Sequence, residues 1–432
     1  MFKRLATKTY SSIKEVLIGL RVPLLANSLY LLAGRFGSTI FVFVFWALVA
    51  RRIAPDQVGL AISANSAVVV IVLLADLGLS SSIVRYSFLH PDTSLDIVNT
   101  SIATGWIASI LGGLIFLAGI PIWSPELAIL RQNPIYAAGF VASIVAINLL
   151  NLQGSALLAR RRGDFIFWRY NLSSIFAIIV FLLVDGDWGG FSSVFYAYNL
   201  PNWIILVLAS LVILPSFYSG YRAFGRFKVR IAILLTRFAG ANHIATILWE
   251  MPAFLLPLMA ANLISPEAAA FFYMPWIIGL TVLAIPQLVS TSLFVEASRS
   301  TDEFNSLVKK AGKMILVMAL PAVTMLWIWG DQILHLLGEE YVNVQLLHLI
   351  LLSVFPYAVN AILFAYFRVT LQIHRLILLS LTSAAGIFGI ALILSDPMGE
   401  VGLALGWLLG QTITALFFSG FLALRFVNRR AT

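Results

Sequence analysis

Residues 243–262 read HIATILWEMPAFLLPLMAAN, and this stretch decides the class of the fold. It is apolar enough to cross a bilayer, yet Glu250 lies near its middle, followed by Pro252 and Pro257. A carboxylate at the bilayer centre costs about 2.5–3.5 kcal/mol, so it normally faces a cavity or a partner. The prolines remove helical hydrogen bonds and predict a kinked or broken helix that lines a cavity. The alternative is a kinked helix whose Glu250 simply bonds a neighbouring helix.

The composition identifies an integral membrane protein. Of the 432 residues, 60% are hydrophobic and only 11% are charged, whereas the surface of a soluble protein of this length needs more charge. The sequence has no cysteine, which excludes disulfides, thiolate metal sites and a cysteine nucleophile. The basic segment 1–22 shows no signal-peptide cleavage pattern, and we interpret it as a cytoplasmic interfacial segment.

Apolar runs of about twenty residues, the length that crosses a bilayer, predict twelve transmembrane helices. Six lie within residues 23–215, six lie within 238–432, and the basic stretch 216–237 is predicted to be a cytoplasmic linker. A constant shift along the sequence aligns most of the spans and places Ser80-Ser81-Ser82 onto Ser290-Thr291-Ser292. We therefore expect an all-α membrane protein with two pseudo-symmetric six-helix bundles around a central cavity.

Lysine and arginine cluster in the connections on one side of the predicted membrane. Positively charged loops remain in the cytoplasm, so we expect a multi-pass protein of the cell membrane with both termini in the cytoplasm. This distribution explains the net charge of +9 without nucleic acid as a partner. The triplet Arg160-Arg161-Arg162 is first of all a topology signal, and the alternative is a direct contact with a phosphorylated substrate.

The first span carries Arg35, flanked by Gly34 and Gly37, and the repeat places it opposite the segment between His243 and Glu250. An arginine keeps its charge in a protein, so within a membrane it needs a carboxylate, water or an anionic ligand. We predict an intramembrane pair between Arg35 and Glu250. The alternative is a purely structural ion pair that ties the two bundles together.

Motifs of other function classes are missing or out of place. The sequence contains neither G-x-x-x-x-G-K-[ST] nor H-E-x-x-H, so we expect no ATP-driven pump, no zinc protease, no cofactor and no metal. Asp185-Gly186-Asp187 matches an acidic sugar-transfer pattern but lies in a very short loop. Asp76 and Arg85 bracket the end of the second span, where gate contacts and simple snorkelling both remain open.

Five short motifs along nearly the whole chain resemble the polysaccharide exporters and lipid-linked oligosaccharide flippases of the multidrug/oligosaccharidyl-lipid/polysaccharide (MOP) superfamily. They are Ala50–Gly59, Ala75–Arg85, Phe294–Arg299, Leu337–Tyr341 and Glu400–Ala404. The resemblance implies a MATE-like fold whose cavity alternates between the two membrane faces. Drug-exporting relatives commonly have an aspartate in the first helix, where this chain has Arg35, and this difference favours an anionic cargo.

The resemblance implies a flippase, not an enzyme, that moves a polyprenyl-diphosphate-linked oligosaccharide from the cytoplasmic to the outer leaflet. Its expected partners are the lipid-linked glycan, membrane lipids and the glycan polymerase or glycosyltransferases of the same pathway. Arg35, Arg52 and Arg85 are the candidate diphosphate contacts. Glu250 and His243 complete the site, where Glu250 either holds Arg35 or binds a coupling proton. The alternatives are a proton- or sodium-coupled efflux antiporter and a membrane glycan polymerase or ligase.

Overall fold

The computed structural model describes residues 23–184, 189–221, 227–297 and 304–430, and within these ranges the regular structure is helical. We label the twelve long helices α1–α12 in chain order and name the short ones by their ranges. The long helices are Pro23–Ala50, Pro55–Ala75, Ser94–Trp123, Pro134–Ala159, Gly163–Val184, Gly190–Leu208, Val229–Leu263, Pro266–Ala297, Phe304–His335, Val344–Val369, Ile373–Met398 and Glu400–Arg430. The short helix Leu79–Leu89 continues α2, and Leu214–Phe217 continues α6 after a π turn.

The lengths and composition of the helices confirm a multi-pass membrane protein. Within the described residues, the eleven helices α2–α12 are long and apolar enough to cross a membrane. α1 has 28 residues, and its described part adds the apolar segment Gly37–Ala50. The count of twelve spans agrees with this set once α1 is taken as the first span.

The helices form two halves of the same design, as predicted. In the first half α1 packs on α5, and in the second half α7 packs on α11 in the equivalent way. The pair α5 and α6 likewise corresponds to the pair α11 and α12. The halves meet mainly along α2, which packs against both α7 and α8. This interface determines which side chains face the space between the halves.

The two halves are held together at one membrane face, which we call the closed face and which carries the α1–α2 and α7–α8 connections. The Nε of Arg51 donates a hydrogen bond of 2.9 Å to the carbonyl of Leu336. The amide of Asn262, near the end of α7, donates to the hydroxyl of Ser124 at 3.1 Å. Gly59 of α2 touches the first turn of α8. These contacts shut the space between the halves on this side.

The opposite face, which we call the open face, carries the α2–α3 and α8–α9 connections. There the early turns of α7 pack on the first half, while the ends of α2 and α8 are more exposed. Near the closed face one apolar core contains residues of both halves, but toward the open face the first half has a core of its own. Leu74 of α2 is 48% exposed and Val295 of α8 is 47% exposed. Val58 and Ala268, at the opposite ends of these two helices, are buried.

Residues 216–237 are predicted to be a linker, but the structure corrects this boundary because α7 begins at Val229. The early turns of α7 lie on the first half, where the carbonyl of Leu235 accepts a hydrogen bond of 3.0 Å from Ser82. Lys228, just before the helix, pairs with Asp96 at 2.6 Å. The apolar residues within this basic stretch pack into the core of the first half near the open face. This packing explains why the segment is helical.

The sequence predicts a kinked or a broken helix at the prolines of α7, and the break does not occur. The helix runs continuously from Val229 to Leu263 through Pro252 and Pro257. Pro257 cannot donate a helical hydrogen bond to the carbonyl of Ala253. The indole Nε1 of Trp276 donates to that carbonyl instead, at 3.1 Å. A neighbouring helix therefore satisfies the carbonyl that the proline frees, which is how proline is tolerated in membrane helices.

Glycines bring α11 and α12 into backbone contact. A Cβ atom at Gly406 would lie 2.7 Å from the backbone nitrogen of Ala391, and one at Gly410 would lie 2.6 Å from that of Ile387. Residues four apart share one face of a helix, so the two glycines form a continuous smooth surface. Small residues at this spacing let membrane helices approach closely.

Gly406→Leu is expected to destabilise the protein by about 3 kcal/mol or more, because its side chain would have to separate two helix backbones. Gly389→Leu on the partner helix α11 is the matched control, since a Cβ atom there would meet nothing outside the local helix within 4 Å. Thermal unfolding in detergent would measure both variants. Equal unfolding temperatures for the two would contradict the close packing of α11 and α12.

Candidate functional site

A cavity of about 100 Å³ lies where the two halves meet. Its wall is largely aromatic, with the polar groups of Asn65, Ser66, Tyr198 and Tyr273 among the apolar ones. Pro257 also lines it, so the proline region of α7 does face the space between the halves. The lining residues come from α1, α2, α4, α6, α7 and α8 and are Trp46, Ile62, Asn65, Ser66, Val69, Ile147, Tyr198, Ala253, Phe254, Pro257, Tyr273, Trp276 and Leu280.

Polar side chains continue from this cavity toward the open face along the first half. The amide of Asn199 donates to Asn65 at 2.7 Å. Asn202 follows Tyr198 by one helical turn on the same side of α6, and it accepts a hydrogen bond of 3.0 Å from the hydroxyl of Ser173 on α5. Amide and hydroxyl groups thus lie in sequence on the way out of the cavity.

The same series ends at an arginine. Asn151 follows Ile147, a cavity-lining residue, by one turn on α4. Its side-chain oxygen accepts a hydrogen bond of 3.0 Å from Nη1 of Arg169, and Arg169 precedes Ser173 by one turn on α5. We call this series the polar track; its members are Asn65, Asn199, Asn202, Ser173, Asn151 and Arg169.

Glu250 is half-buried on α7 and interacts electrostatically with Arg368 near the end of α10. The guanidinium of Arg368 lies over the ring of Phe294, with Cζ 4.5 Å from the ring centroid. The ring of Trp249, next to Glu250 in the chain, packs on Phe364 with the ring centroids 4.9 Å apart. The described surroundings of Glu250 are therefore cationic and aromatic.

The backbone of Arg35 lies on α1 beside α5, because a Cβ atom at the adjacent Gly34 would lie 2.8 Å from Cα of Phe167. The side chain of Arg35 lies outside the part of the chain that the structure describes. The Arg35–Glu250 pair therefore stays a prediction. Arg52 is exposed at the closed face and Arg85 at the open face, so these two arginines mark the two ends of the passage.

His243 connects α7 to the end of α2. Its imidazole lies close to the backbone of Leu73 and interacts electrostatically with Asp76. Asp76 in turn accepts a hydrogen bond from the hydroxyl of Ser80. This cluster joins the two halves on the side of the open face.

Two members of the arginine triplet make contacts within the first half. Arg160 lies over the ring of Tyr218, with Cζ 4.5 Å from the ring centroid. Arg162 forms two hydrogen bonds with Asp164 and lies 4.4 Å from the centroid of Phe217. These contacts hold two of the three guanidinium groups near the protein surface. Among the described residues, no group of three or more His, Asp or Glu side chains is placed to hold a metal ion.

The arrangement of the helices matches known transporters. One of them is an inward-facing multidrug resistance MATE family transporter of the MOP superfamily. It superposes with a TM-score of 0.64 at 16% sequence identity, and the match covers 96% of this chain and 99% of that chain. The lipid II flippase MurJ in an inward closed conformation gives a TM-score of 0.72 at 12% sequence identity, and the match covers 90% of this chain and 87% of MurJ. The Vibrio cholerae MATE transporter VcmN gives a TM-score of 0.66 at 14% sequence identity, and the match covers 96% of this chain and 98% of VcmN. The chain has the MATE fold.

The MATE fold confirms the predicted architecture. Neither a family model nor a curated protein matches the sequence. Identities of 12–16% show the fold alone. Since drug transporters and a lipid flippase share this fold, the comparison does not separate the branches.

Sequence reasoning missed two arginines, Arg169 and Arg368, and the asparagines of the polar track. It assigned Arg169 and Arg368 only to the topology signal, and it did not single out the asparagines of the polar track. The track residues come from α2, α4, α5 and α6 and leave no linear motif. One signal was available, because Arg169 and Ser173 are four residues apart in an apolar span and must therefore share a polar face.

Proposed function

We propose that the protein is a flippase that moves a polyprenyl-diphosphate-linked oligosaccharide across the membrane by alternating access. The polar track is the observation that carries this proposal. A glycan head group presents many hydroxyls, which neutral amide and hydroxyl side chains bind well, while the lipid tail stays in the bilayer. The track starts at the central cavity with Asn65 and runs toward the open face, as a substrate path in an alternating-access cycle would.

We propose that the open face is cytoplasmic and that the protein lies in the inner or cytoplasmic membrane. Arg160–Arg162 and Lys228 lie at the open face, and positively charged connections remain in the cytoplasm. Substrate would then enter from the cytoplasmic leaflet and leave at the closed face. Outward movement of negative charge across an inside-negative membrane is favoured by about 2.3 kcal/mol per charge per 100 mV, so ATP is not needed.

An efflux antiporter for small molecules is the second candidate, because two of the similar structures are MATE transporters. The described carboxylates inside the membrane favour the flippase over an antiporter for cationic drugs. Asp76 interacts with His243, and Glu250 interacts with Arg368. A cationic drug would have to displace these partners, whereas an anionic head group would not. A membrane glycan polymerase or ligase has less support, since its reaction needs catalytic groups on the outer surface.

Arg35, with Arg52 and Arg85 at the two ends of the passage, is proposed to contact the diphosphate, since guanidinium groups bind phosphate oxygens in pairs. During the cycle, Glu250 is proposed to hold or release a cationic partner, and His243 to hold or release the carboxylate of Asp76. The partners of the protein would be the lipid-linked glycan, membrane lipids, and the enzymes that build or polymerise the glycan.

Loss of the protein is expected to leave lipid-linked glycan on the cytoplasmic leaflet, and Arg35→Ala is expected to reproduce that accumulation. Leaflet-specific labelling of the glycan in cells would measure both effects. Arg131→Ala, which removes an exposed arginine at the closed face, is the control and should transport normally. A normal glycan distribution together with new drug sensitivity in cells lacking the protein would refute the flippase and support the antiporter.

A further inference from the structure

Arg169 is a buried arginine whose charge is not offset by any carboxylate among the described residues. Its side chain is 6% exposed. Nη1 donates to Asn151, and the ring centroid of Tyr170 lies 5.0 Å from Cζ. Nε is buried without a hydrogen-bond partner. The ion pairs found in the described part of the chain do not include Arg169.

This environment is suited to an anionic ligand. A guanidinium group keeps its charge, and a buried charge without a counter-charge is unfavourable. Nη1 donates to Asn151 and Nε has no hydrogen-bond partner, so an anion would bind at the edge that carries Nε and Nη2. Two oxygens of one phosphate group match that edge, and such a bidentate contact is both stronger and more directional than a single hydrogen bond.

The position of Arg169 indicates which phosphorylated molecule would bind there. It lies at the open-face end of the polar track, and Ser173 and Asn202 lead from it toward the central cavity. A head group whose phosphate is bound at Arg169 would extend its neutral, hydroxyl-rich part along these side chains. We propose that Arg169, oriented by Asn151, binds the diphosphate of a polyprenyl-diphosphate-linked substrate; this inference rests on the function proposed above.

Binding of synthetic polyprenyl diphosphate to the full-length protein in detergent tests the proposal. The shift of the thermal unfolding temperature with ligand concentration gives the affinity. Arg169→Gln is expected to weaken polyprenyl diphosphate binding at least about tenfold, the loss of one charge-assisted bidentate contact. Binding of uncharged polyprenol should not change. Arg169→Lys keeps the positive charge but cannot form the bidentate contact of a guanidinium group, so it should give an intermediate affinity.

Two further measurements separate ligand binding from a structural role. Without ligand, Arg169→Gln should unfold at the same or a higher temperature than the native protein, because an unbalanced buried charge is removed. A purely structural arginine would give a lower temperature. Arg131→Gln, at an exposed position on the closed face, is the matched control and should leave both the affinity and the unfolding temperature unchanged.

Unchanged polyprenyl diphosphate affinity in Arg169→Gln would overturn this inference while leaving the flippase proposal standing. Phosphatidylglycerol that binds as tightly as polyprenyl diphosphate, and with the same dependence on Arg169, would assign the site to a membrane phospholipid and also overturn it. Failure of the native protein to bind polyprenyl diphosphate, together with export of a cationic dye from proteoliposomes, would instead refute the proposed function.

Discussion

Gly59→Leu is expected to stop transport by preventing the closed face from forming. A Cβ atom at Gly59 would overlap the carbonyl oxygen of Pro266, and it would also lie 3.3 Å from the backbone nitrogen of Ala270. Both obstacles are backbone atoms, so no side-chain rotation relieves them. An overpacking cost of about 3 kcal/mol on the closed state alone would shift the conformational equilibrium about a hundredfold.

The absence of cysteine from the native sequence makes this shift directly measurable. Ser66→Cys places a single thiol in the central cavity, where the native side chain is buried. A membrane-impermeant maleimide added on the side of the closed face should label it slowly in the otherwise native protein and rapidly in Gly59→Leu.

Gly312→Leu on α9 is the control, since a Cβ atom there would meet nothing within 4 Å. It should transport and label like the native protein. Arg51→Ala, which removes one hydrogen bond of the same face, should shift labelling in the same direction by a smaller amount, and it serves if Gly59→Leu does not fold. Native transport and slow labelling in Gly59→Leu would contradict the assignment of this contact as the seal.

The class of the fold could be predicted because the bilayer imposes it. Apolar length and the charge of the connections decide the number of spans and their expected orientation, and these features are local in sequence. The structure corrected one local prediction. The segment 216–237 partly joins α7, because a few apolar residues are enough for packing. The same helix stays continuous at Pro257, because Trp276, distant in sequence, satisfies the freed carbonyl.

The candidate site could be predicted only at residues whose side chains are energetically unfavourable within the membrane unless they have a partner. Glu250 and His243 were found because ionisable groups in an apolar membrane span need a partner or a water-filled cavity. The partners they have in the structure, Arg368 and Asp76, lie on other helices, and no spacing rule connects them. Arg169 was hidden in a basic region whose charge already had an explanation. Burial and hydrogen-bond geometry distinguish it from the solvent-facing arginines nearby.

A double-mutant cycle between Glu250 and Arg368 is expected to show that the two charges are coupled. Glu250→Gln alone should cost about 2 kcal/mol, less than the 3–5 kcal/mol of a fully buried pair because both side chains are half-buried. Arg368→Gln alone should cost a similar amount. The double variant should lose only about 1 kcal/mol, which corresponds to a coupling of about 3 kcal/mol. Thermal unfolding of the four proteins measures the cycle, and additive losses would contradict the pair.

Transport by the same four proteins decides whether Glu250 has a role beyond this pair. A purely structural pair predicts that the double variant regains transport along with stability. If Glu250 exchanges partners during the cycle, transport stays lost even when stability returns, because the remaining neutral side chains cannot bind and release a cation. A second cycle with Arg35→Gln tests the predicted partner on α1: coupling of Glu250 to both arginines would place the carboxylate between two cations, one in each half. Closing and opening of the cavity would then alter its distance to each of them.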